Sequence, residues 1–213
     1  MNHSNKEKRL EILAVLITGL LKFVLMDWLN FRAFYIVAAC VFWLIFIYKR
    51  YKTYPGILQE WGFRKKNLKL SFLWLLPFAV ITIAGVIIYG VFYNAAFLNW
   101  HFLPVLIFYP LWGLFQQFMV AALIAGNLKK LPESKLSNAQ AILFPSLLFA
   151  LIHLPSVPLM IYVFVMELLF LIVYFKWNNL WALGLYHGVV SSFYLFFVLG
   201  RDLFSELWTV FLS

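Results

Sequence analysis

Charged residues are scarce in this sequence, and their scarcity excludes a water-soluble fold. Only 12% of the 213 residues are charged, whereas 65% are hydrophobic. A soluble domain of this length is nearer half apolar and a quarter charged, because its surface must face water. The composition therefore predicts an all-α, polytopic membrane protein built as a bundle of transmembrane helices.

Cysteine is nearly absent, and acidic residues are few. The single Cys40 lies in an apolar run, which excludes intramolecular disulfides and cysteine-based metal sites. The 17 Lys and Arg residues outnumber the 8 Asp and Glu residues, giving a net charge of +9. These basic residues form short clusters between apolar runs and no extended patch, which favours a role in membrane topology and argues against nucleic-acid binding.

Long apolar runs predict about seven membrane-spanning helices, each near the ~20 residues that cross a hydrocarbon core, although the fifth is short. The predicted spans are Leu10–Trp28, Ala33–Tyr48, Leu70–Val91, Leu103–Leu128, Ala139–His153, Val157–Phe175 and Leu180–Leu199. The first run is too long for a signal peptide and lacks a cleavage site after it, so we interpret it as a retained helix. The tail Leu203–Ser213 is too short to span and is predicted to lie along the interface.

Lys and Arg residues are concentrated in every second loop, and this pattern predicts the orientation of the chain in the membrane. They cluster before the first span and after the second, fourth and sixth spans, which predicts a multi-pass protein of the cell membrane with a cytoplasmic N-terminus. The longest loop, YKRYKTYPGILQEWGFRKKNLK, predicts a surface-lying amphipathic segment suited to anionic headgroups. We divide the chain into N-terminal helices with this loop (residues 1–100), a core (101–200) and the tail (201–213).

Few polar side chains remain at depth, and intramembrane polar groups are candidates for function. The candidates are Gln116, Gln117, His153, Glu167, His187 and Ser191. At ~1.5 Å per residue, all but His153 lie near the middle of the membrane, so they can meet in one polar cavity. The two glutamines are ~100° apart around their helix, so only one can face that cavity. Simpler interpretations are an interfacial His153 and a helix-packing Ser191.

Three short motifs carry these residues in a fixed order. They are QQFMVA (Gln116–Ala121), FALIH (Phe149–His153) and HGVVS (His187–Ser191). Together they resemble the motifs E-E-x-x-x-R, F-x-x-x-H and H-x-x-x-N of the CAAX-protease and bacteriocin-processing (Abi) family of intramembrane proteases. The resemblance covers about half the chain, Leu103–Leu199. The segments WGFRKKNLK and YFKWNNLWALGLY also resemble the lead-ins of that family.

The resemblance implies a role for each matched residue. In the family, the first glutamate activates a water, the histidines hold that water and, with the asparagine, stabilise the oxyanion; some accounts place a metal there. Gln116 stands at the position of the catalytic glutamate, and Gln117 at that of its partner. His153 and His187 match the two histidines, and they are also the only candidate metal ligands.

The motifs depart from the family pattern at four positions. Ala121 replaces the arginine and Ser191 the asparagine, and both glutamates are glutamines. An amide cannot take a proton from water, and loss of a general base costs about 10²–10⁴-fold in rate. Glu167 is the one carboxylate at mid-depth. We hypothesise that it supplies a replacement base or pairs with His187; the alternative is a protonated side chain that only ties helices together.

The resemblance thus implies a divergent intramembrane endopeptidase that acts on membrane-tethered peptides, with weak or lost catalysis. The alternatives are a non-catalytic scaffold or immunity-type peptide-binding protein, and a small proton-coupled transporter. The sequence shows no inverted repeat, which argues against the transporter. The expected partners are the lipid bilayer and a tethered peptide or protein. No cofactor is expected, although a divalent metal such as zinc stays open; two histidines make a poor zinc set.

Overall fold

Helices make up the whole of the regular structure in residues 3–94 and 99–212, which are the residues that the computed structural model describes, and this confirms the predicted all-α bundle. The helices are α1 (Asn5–Leu21), α2 (Arg32–Thr53), α3 (Ile57–Trp61), α4 (Leu68–Tyr89), α5 (Phe102–Gln117), α6 (Asn127–Lys130), α7 (Asn138–Leu151), α8 (Val157–Trp177), α9 (Leu180–Phe197) and α10 (Leu203–Leu212). Segments of π-helix continue three of them: Lys22–Trp28 after α1, Gly90–Asn94 after α4 and Phe118–Gly126 after α5.

Five helical stretches among the described residues are long and apolar enough to cross a membrane, so the chain is a multi-pass membrane protein. They are Arg32–Thr53, Leu68–Tyr93, Phe102–Lys130, Val157–Trp177 and Leu180–Phe197. Their outer faces expose large apolar side chains, such as Ile81 and Leu111, to the bilayer. The other two predicted spans fall on the charged helix α1 with its π-helical continuation and on α7, which has only 14 residues, so these two stay predictions.

The predicted interfacial tail forms the short helix α10, and Ser213 lies outside the described residues. Residues 95–98, beside the predicted division of the chain near position 100, also lie outside them, as do residues 1 and 2. The division into N-terminal helices and core therefore stays a prediction. The two parts nevertheless pack together, because α1 contacts the π-helical segment after α5.

Helices α5 and α9 approach closely because glycine lines their seam. A Cβ atom on Gly188 would lie 2.2 Å from Pro110 Cα, and one on Gly184 would lie 2.5 Å from Leu114 Cα. Two glycines four residues apart are the usual means by which membrane helices bring their backbones together. This close approach carries the end of α5 to the middle of α9.

The sequence predicted that the long loop after α2 lies on the surface, but part of it is buried in the bundle. Its short helix α3 inserts Ile57 and Trp61 into the core, where they are only 2% and 1% exposed. The Trp61 ring meets Phe118 edge-on at 5.0 Å, and the Tyr174 hydroxyl donates to the Trp61 carbonyl at 3.0 Å. The amphipathic pattern is correct, but its apolar side faces the bundle.

Residues 60–67 are bonded to the turn between α8 and α9 (residues 177–180); we call this paired structure the clasp. The Arg64 guanidinium donates to the carbonyls of Trp177 and Asn178 at 2.8 and 2.9 Å. In return, the Asn179 amide donates to the carbonyls of Arg64 and Lys66 at 2.7 and 3.1 Å. The two family-like lead-in segments thus meet at one end of the bundle.

A buried polar network ties α1 to its neighbours. Glu11 is 1% exposed, accepts a hydrogen bond from Asn127 at 2.8 Å, and lies 3.1 Å from Arg50 Nε and 2.9 Å from His3 Nε2. A buried carboxylate requires such partners, because an unpaired charge is costly away from water. The sequence pattern did not single out this network.

Candidate functional site

Gln117, at the last turn of α5, is the centre of the candidate site. Its Nε2 donates to Glu167 Oε2 on α8 at 2.6 Å and lies 3.1 Å from His187 Nδ1 on α9. All three side chains are buried, with His187 the most exposed at 2%. One amide carries two N–H bonds, so it can serve both partners at once. Three predicted site residues from three helices therefore form one hydrogen-bonded group.

The backbone changes character immediately after Gln117. The π-helical segment Phe118–Gly126 begins there, and π-helical turns often occur at functional sites. The Phe118 ring is surrounded by aromatic rings of Trp43, Trp61 and Phe63, with centroids 6.3, 5.0 and 5.8 Å away. This packing fixes the end of α5 and hence the position of the Gln117 amide. Further along the segment, Ala121 is fully buried where the family has an arginine.

Gln116 faces a different direction from Gln117. It is only half-buried, and its Oε1 has no hydrogen-bond partner among the described residues. The sequence predicted that only one glutamine could face the site, and it is Gln117 that contacts His187. The residue that the resemblance places at the catalytic glutamate position, Gln116, is not brought into this hydrogen-bonded group.

His153 lies beside the group without joining it. Its Nδ1 donates to the Phe149 carbonyl at 2.7 Å, so its Nε2 is left as an acceptor. The Phe149 ring contacts both imidazoles, at centroid distances of 4.9 Å to His153 and 5.6 Å to His187. Those two distances limit the separation of the imidazole centroids to at most about 10.5 Å. The motif phenylalanine is thus the physical link between the two histidines.

The two imidazoles present opposite chemistry. Because the Gln117 amide donates to His187 Nδ1, the proton of a neutral His187 sits on Nε2, which is then a donor. The Nε2 of His153 is an acceptor for the reason given above. One histidine can therefore receive a proton while the other donates a hydrogen bond, which are the two functions that hydrolysis of a carbonyl compound requires.

One form of the sequence hypothesis paired Glu167 with His187, but the two side chains do not contact each other directly. The Gln117 amide lies between them and bonds to both. The second carboxyl oxygen, Oε1, is buried without a hydrogen-bond partner in the described part of the chain. The carboxyl group is therefore positioned to orient Gln117.

Ser191 lies one turn beyond His187 on α9 and is 3% exposed. Its hydroxyl makes a long contact of 3.9 Å to Met166 Sδ, and it also lies close to the hydroxyl of Tyr162. The Tyr162 ring stacks on Tyr194 at 3.9 Å. Sequence reasoning missed Tyr162, because tyrosine is common in apolar spans. The available signal was its position on α8, one turn before Met166 and on the face that meets α9.

The donor set does not fit a zinc centre. Among residues 3–94 and 99–212, no three His, Cys, Asp or Glu side chains are grouped closely enough to hold a metal ion. Only His153 presents a free ring lone pair, on Nε2, because the Gln117 amide donates to His187 Nδ1 and leaves the proton of that imidazole on Nε2. Catalytic zinc usually takes three protein ligands, and the predicted pair supplies two.

Comparison with protein families gave a match that covers the candidate site. Residues 98–193 match the family model described as type II CAAX prenyl endopeptidase Rce1-like. The match confirms the resemblance drawn from the three motifs and includes all six candidate residues. Comparison with curated proteins and with solved structures gave no match.

Proposed function

We propose that this chain, whose residues 98–193 match the type II CAAX prenyl endopeptidase Rce1-like family model, is a member of that family that binds a membrane-tethered peptide at the Gln117–His187 site and hydrolyses it slowly. One observation carries the proposal: a neutral amide, Gln117, occupies the centre of the site and is bonded to both Glu167 and His187. The expected location is the cell membrane, with the N-terminus in the cytoplasm.

The chemistry that we propose rests on the two histidines. His153 Nε2 takes a proton from a water as the water oxygen attacks the peptide carbonyl carbon. The carbonyl oxygen becomes an oxyanion and accepts a hydrogen bond from His187 Nε2–H. Collapse of the tetrahedral intermediate breaks the C–N bond, and the protonated His153 returns its proton to the leaving amine.

The remaining polar residues hold this arrangement. Gln117 fixes the donor form of His187, and Glu167 orients the Gln117 amide through the 2.6 Å hydrogen bond. Ser191 offers one hydroxyl donor near the oxyanion where the family has an asparagine. No carboxylate contacts either imidazole directly among the described residues, so the base lacks the partner that would strengthen it. Slow turnover is the physical consequence.

The test is a cleavage assay with a membrane-tethered reporter peptide and purified full-length protein. We expect slow cleavage by the native chain and loss of cleavage in His153→Ala and His187→Ala. Gln117→Glu should raise the rate by about 10²-fold or more, because its carboxylate would hold His187 as the imidazolium, whose Nε2–H donates more strongly to the oxyanion. The matched control is Gln59→Glu, which adds the same charge at an exposed position of α3 and should leave the rate unchanged.

Gln116→Glu completes the series, because the resemblance assigns the catalytic position to Gln116. An increase in Gln116→Glu with none in Gln117→Glu would move the site to the half-buried glutamine and contradict the central role of Gln117. No cleavage by any of these variants would refute the hydrolytic part of the proposal.

A non-catalytic peptide-binding protein is the second candidate, and the same neutral amide favours it. A site without a carboxylate on its histidines still offers donors and acceptors for a peptide backbone. This function predicts that the reporter peptide binds to the native chain without being cut. It also predicts that His153→Ala weakens binding while Gln117→Glu produces no cleavage.

A further inference from the structure

An apolar groove runs along the lipid-facing side of α5, away from the polar site. Its volume is about 350 Å³, within the range of sites that hold small ligands. Helices α2 and α3 form one wall. The principal side chains that line the rest of the groove are Phe63, Leu111, Leu114, Phe115, Phe118 and Trp181. All are apolar or aromatic, so the groove suits a hydrocarbon chain and offers nothing to a peptide backbone.

The direction of the groove matches that of a lipid chain. Leu111 and Phe118 lie seven residues apart, which is about 10 Å along a helix axis. Leu111 is 64% exposed and marks the end deeper in the membrane, whereas Phe63 and Trp181 stand at the end near the clasp. The groove therefore runs parallel to α5, as acyl chains run in a bilayer.

Positive charge surrounds the end near the clasp. Lys65 and Lys66 follow Phe63 and Arg64 in the sequence, and both are exposed. Neither forms an ion pair with an acidic group in the described part of the chain, and the nearby Glu60 is already paired with Lys130 at 2.9 Å. Exposed lysines at the membrane surface attract anionic lipid headgroups.

We propose that the groove holds one acyl chain of an anionic phospholipid whose headgroup contacts Lys65 and Lys66. The bound chain packs against Phe115 and Phe118, the residues on either side of the two glutamines. This site is distinct from the peptide site, and the inference stands whether or not the protein cleaves peptides. The alternative occupants of the groove are a second copy of the chain and an apolar part of a peptide substrate.

The first arm of the test compares lipid retention by the native chain with retention by a variant in which a larger side chain fills the groove. Full-length protein is reconstituted in nanodiscs of phosphatidylglycerol and phosphatidylcholine with identical acyl chains, extracted, and examined by native mass spectrometry. We expect one phosphatidylglycerol to be retained at least tenfold over phosphatidylcholine. Leu111→Trp should lower this retention at least tenfold. The control Leu103→Trp lies on the same helix, outside the groove, at an almost equal exposure of 62%, and should change nothing.

The second arm alters charge without touching the packing. Lys65→Gln with Lys66→Gln should reduce the preference for phosphatidylglycerol about tenfold or more, because each lysine contributes separately to headgroup attraction. The control pair Lys6→Gln with Lys135→Gln removes the same charge from exposed positions elsewhere. Equal retention of the two lipids by the native chain would overturn the proposal. So would equal loss in the two tryptophan variants, or a dimer that only Leu111→Trp dissociates, which would assign the groove to a second copy.

Discussion

Replacing Gly188 with alanine should force α5 and α9 apart, because the added methyl group has no free space. Its Cβ would lie 2.2 Å from Pro110 Cα and 2.7 Å from the Tyr109 carbonyl carbon. Both are backbone atoms, so no side chain can rotate away. Ordinary van der Waals contact begins at 3.4 Å, so the helices must separate by about 1.2 Å at this point.

This separation has an energetic and a chemical consequence. Overpacking of a tight interface costs about 1–3 kcal/mol. For a protein of roughly this size, each kcal/mol lowers the melting temperature by about 2–4 °C, so we expect a decrease of about 2–12 °C. The same movement lengthens the 3.1 Å contact between Gln117 Nε2 and His187 Nδ1 beyond hydrogen-bonding distance. Gly188→Ala should therefore also abolish cleavage or binding of the reporter peptide.

The measurement is thermal unfolding of the purified variants in one detergent. Gly85→Ala is the matched control, because Gly85 is also helical but a Cβ there meets no atom within 4 Å. This control should be neutral or up to about 1 kcal/mol more stable, since alanine favours a helix over glycine. If Gly188→Ala melts at or above the native temperature, the close contact of α5 and α9 that positions the site is refuted.

Two further predictions concern the network around α1. Arg50→Ala should destabilise the protein by about 3–5 kcal/mol in chemical unfolding, because the 1% exposed Glu11 loses its cation. For Glu7, hydrogen bonds from Tyr54 and Ser4, together with Arg50, hold the carboxyl pKa below its usual 4.5. A lowered pKa gives stability that is complete above pH 4.5 and is lost as the pH falls, so Glu7→Gln should weaken the loss of stability in acid.

Neighbouring residues supply the controls for both. Lys49→Ala removes an exposed charge next to Arg50 and should cost less than about 0.5 kcal/mol; an equal cost in both variants would contradict the buried ion pair. Tyr54→Phe removes the largest cause of the Glu7 shift and should weaken acid sensitivity in the same direction. If Glu7→Gln keeps the native acid profile unchanged, the sensitivity arises elsewhere.

Much of the fold and part of the site follow from the sequence, because both depend on regular helical geometry. Apolar runs predict spans, and a constant rise per residue placed Gln117, Glu167 and His187 at similar depth, where they indeed meet. Depth does not give rotation about the helix axis. The choice of Gln117 over Gln116 depends on the glycine seam and on the π-helical segment after α5, and neither can be derived from hydropathy.

Long-range packing accounts for the rest of what the sequence did not reveal. From the sequence, Trp61 is expected at the membrane interface. In the structure it is buried, and its backbone carbonyl accepts a hydrogen bond from the hydroxyl of Tyr174, which lies 113 residues later in the chain. Glu11 resembles one more charge near the start of a helix until Asn127 and Arg50 surround it. Such partners are set by the tertiary arrangement of helices, which local periodicity does not encode.

The clasp also determines the order in which the chain can be assembled during biosynthesis. Arg64 and Asn179 are 115 residues apart, so the contacts of the clasp cannot form until the chain as far as Asn179 has left the ribosome. Contacts between such distant segments form late, because a long stretch of chain must first be ordered. A nascent chain that stops before residue 177 has helices to insert but no partner for Arg64. Synthesis of the turn between α8 and α9 is thus the event that allows the clasp to form.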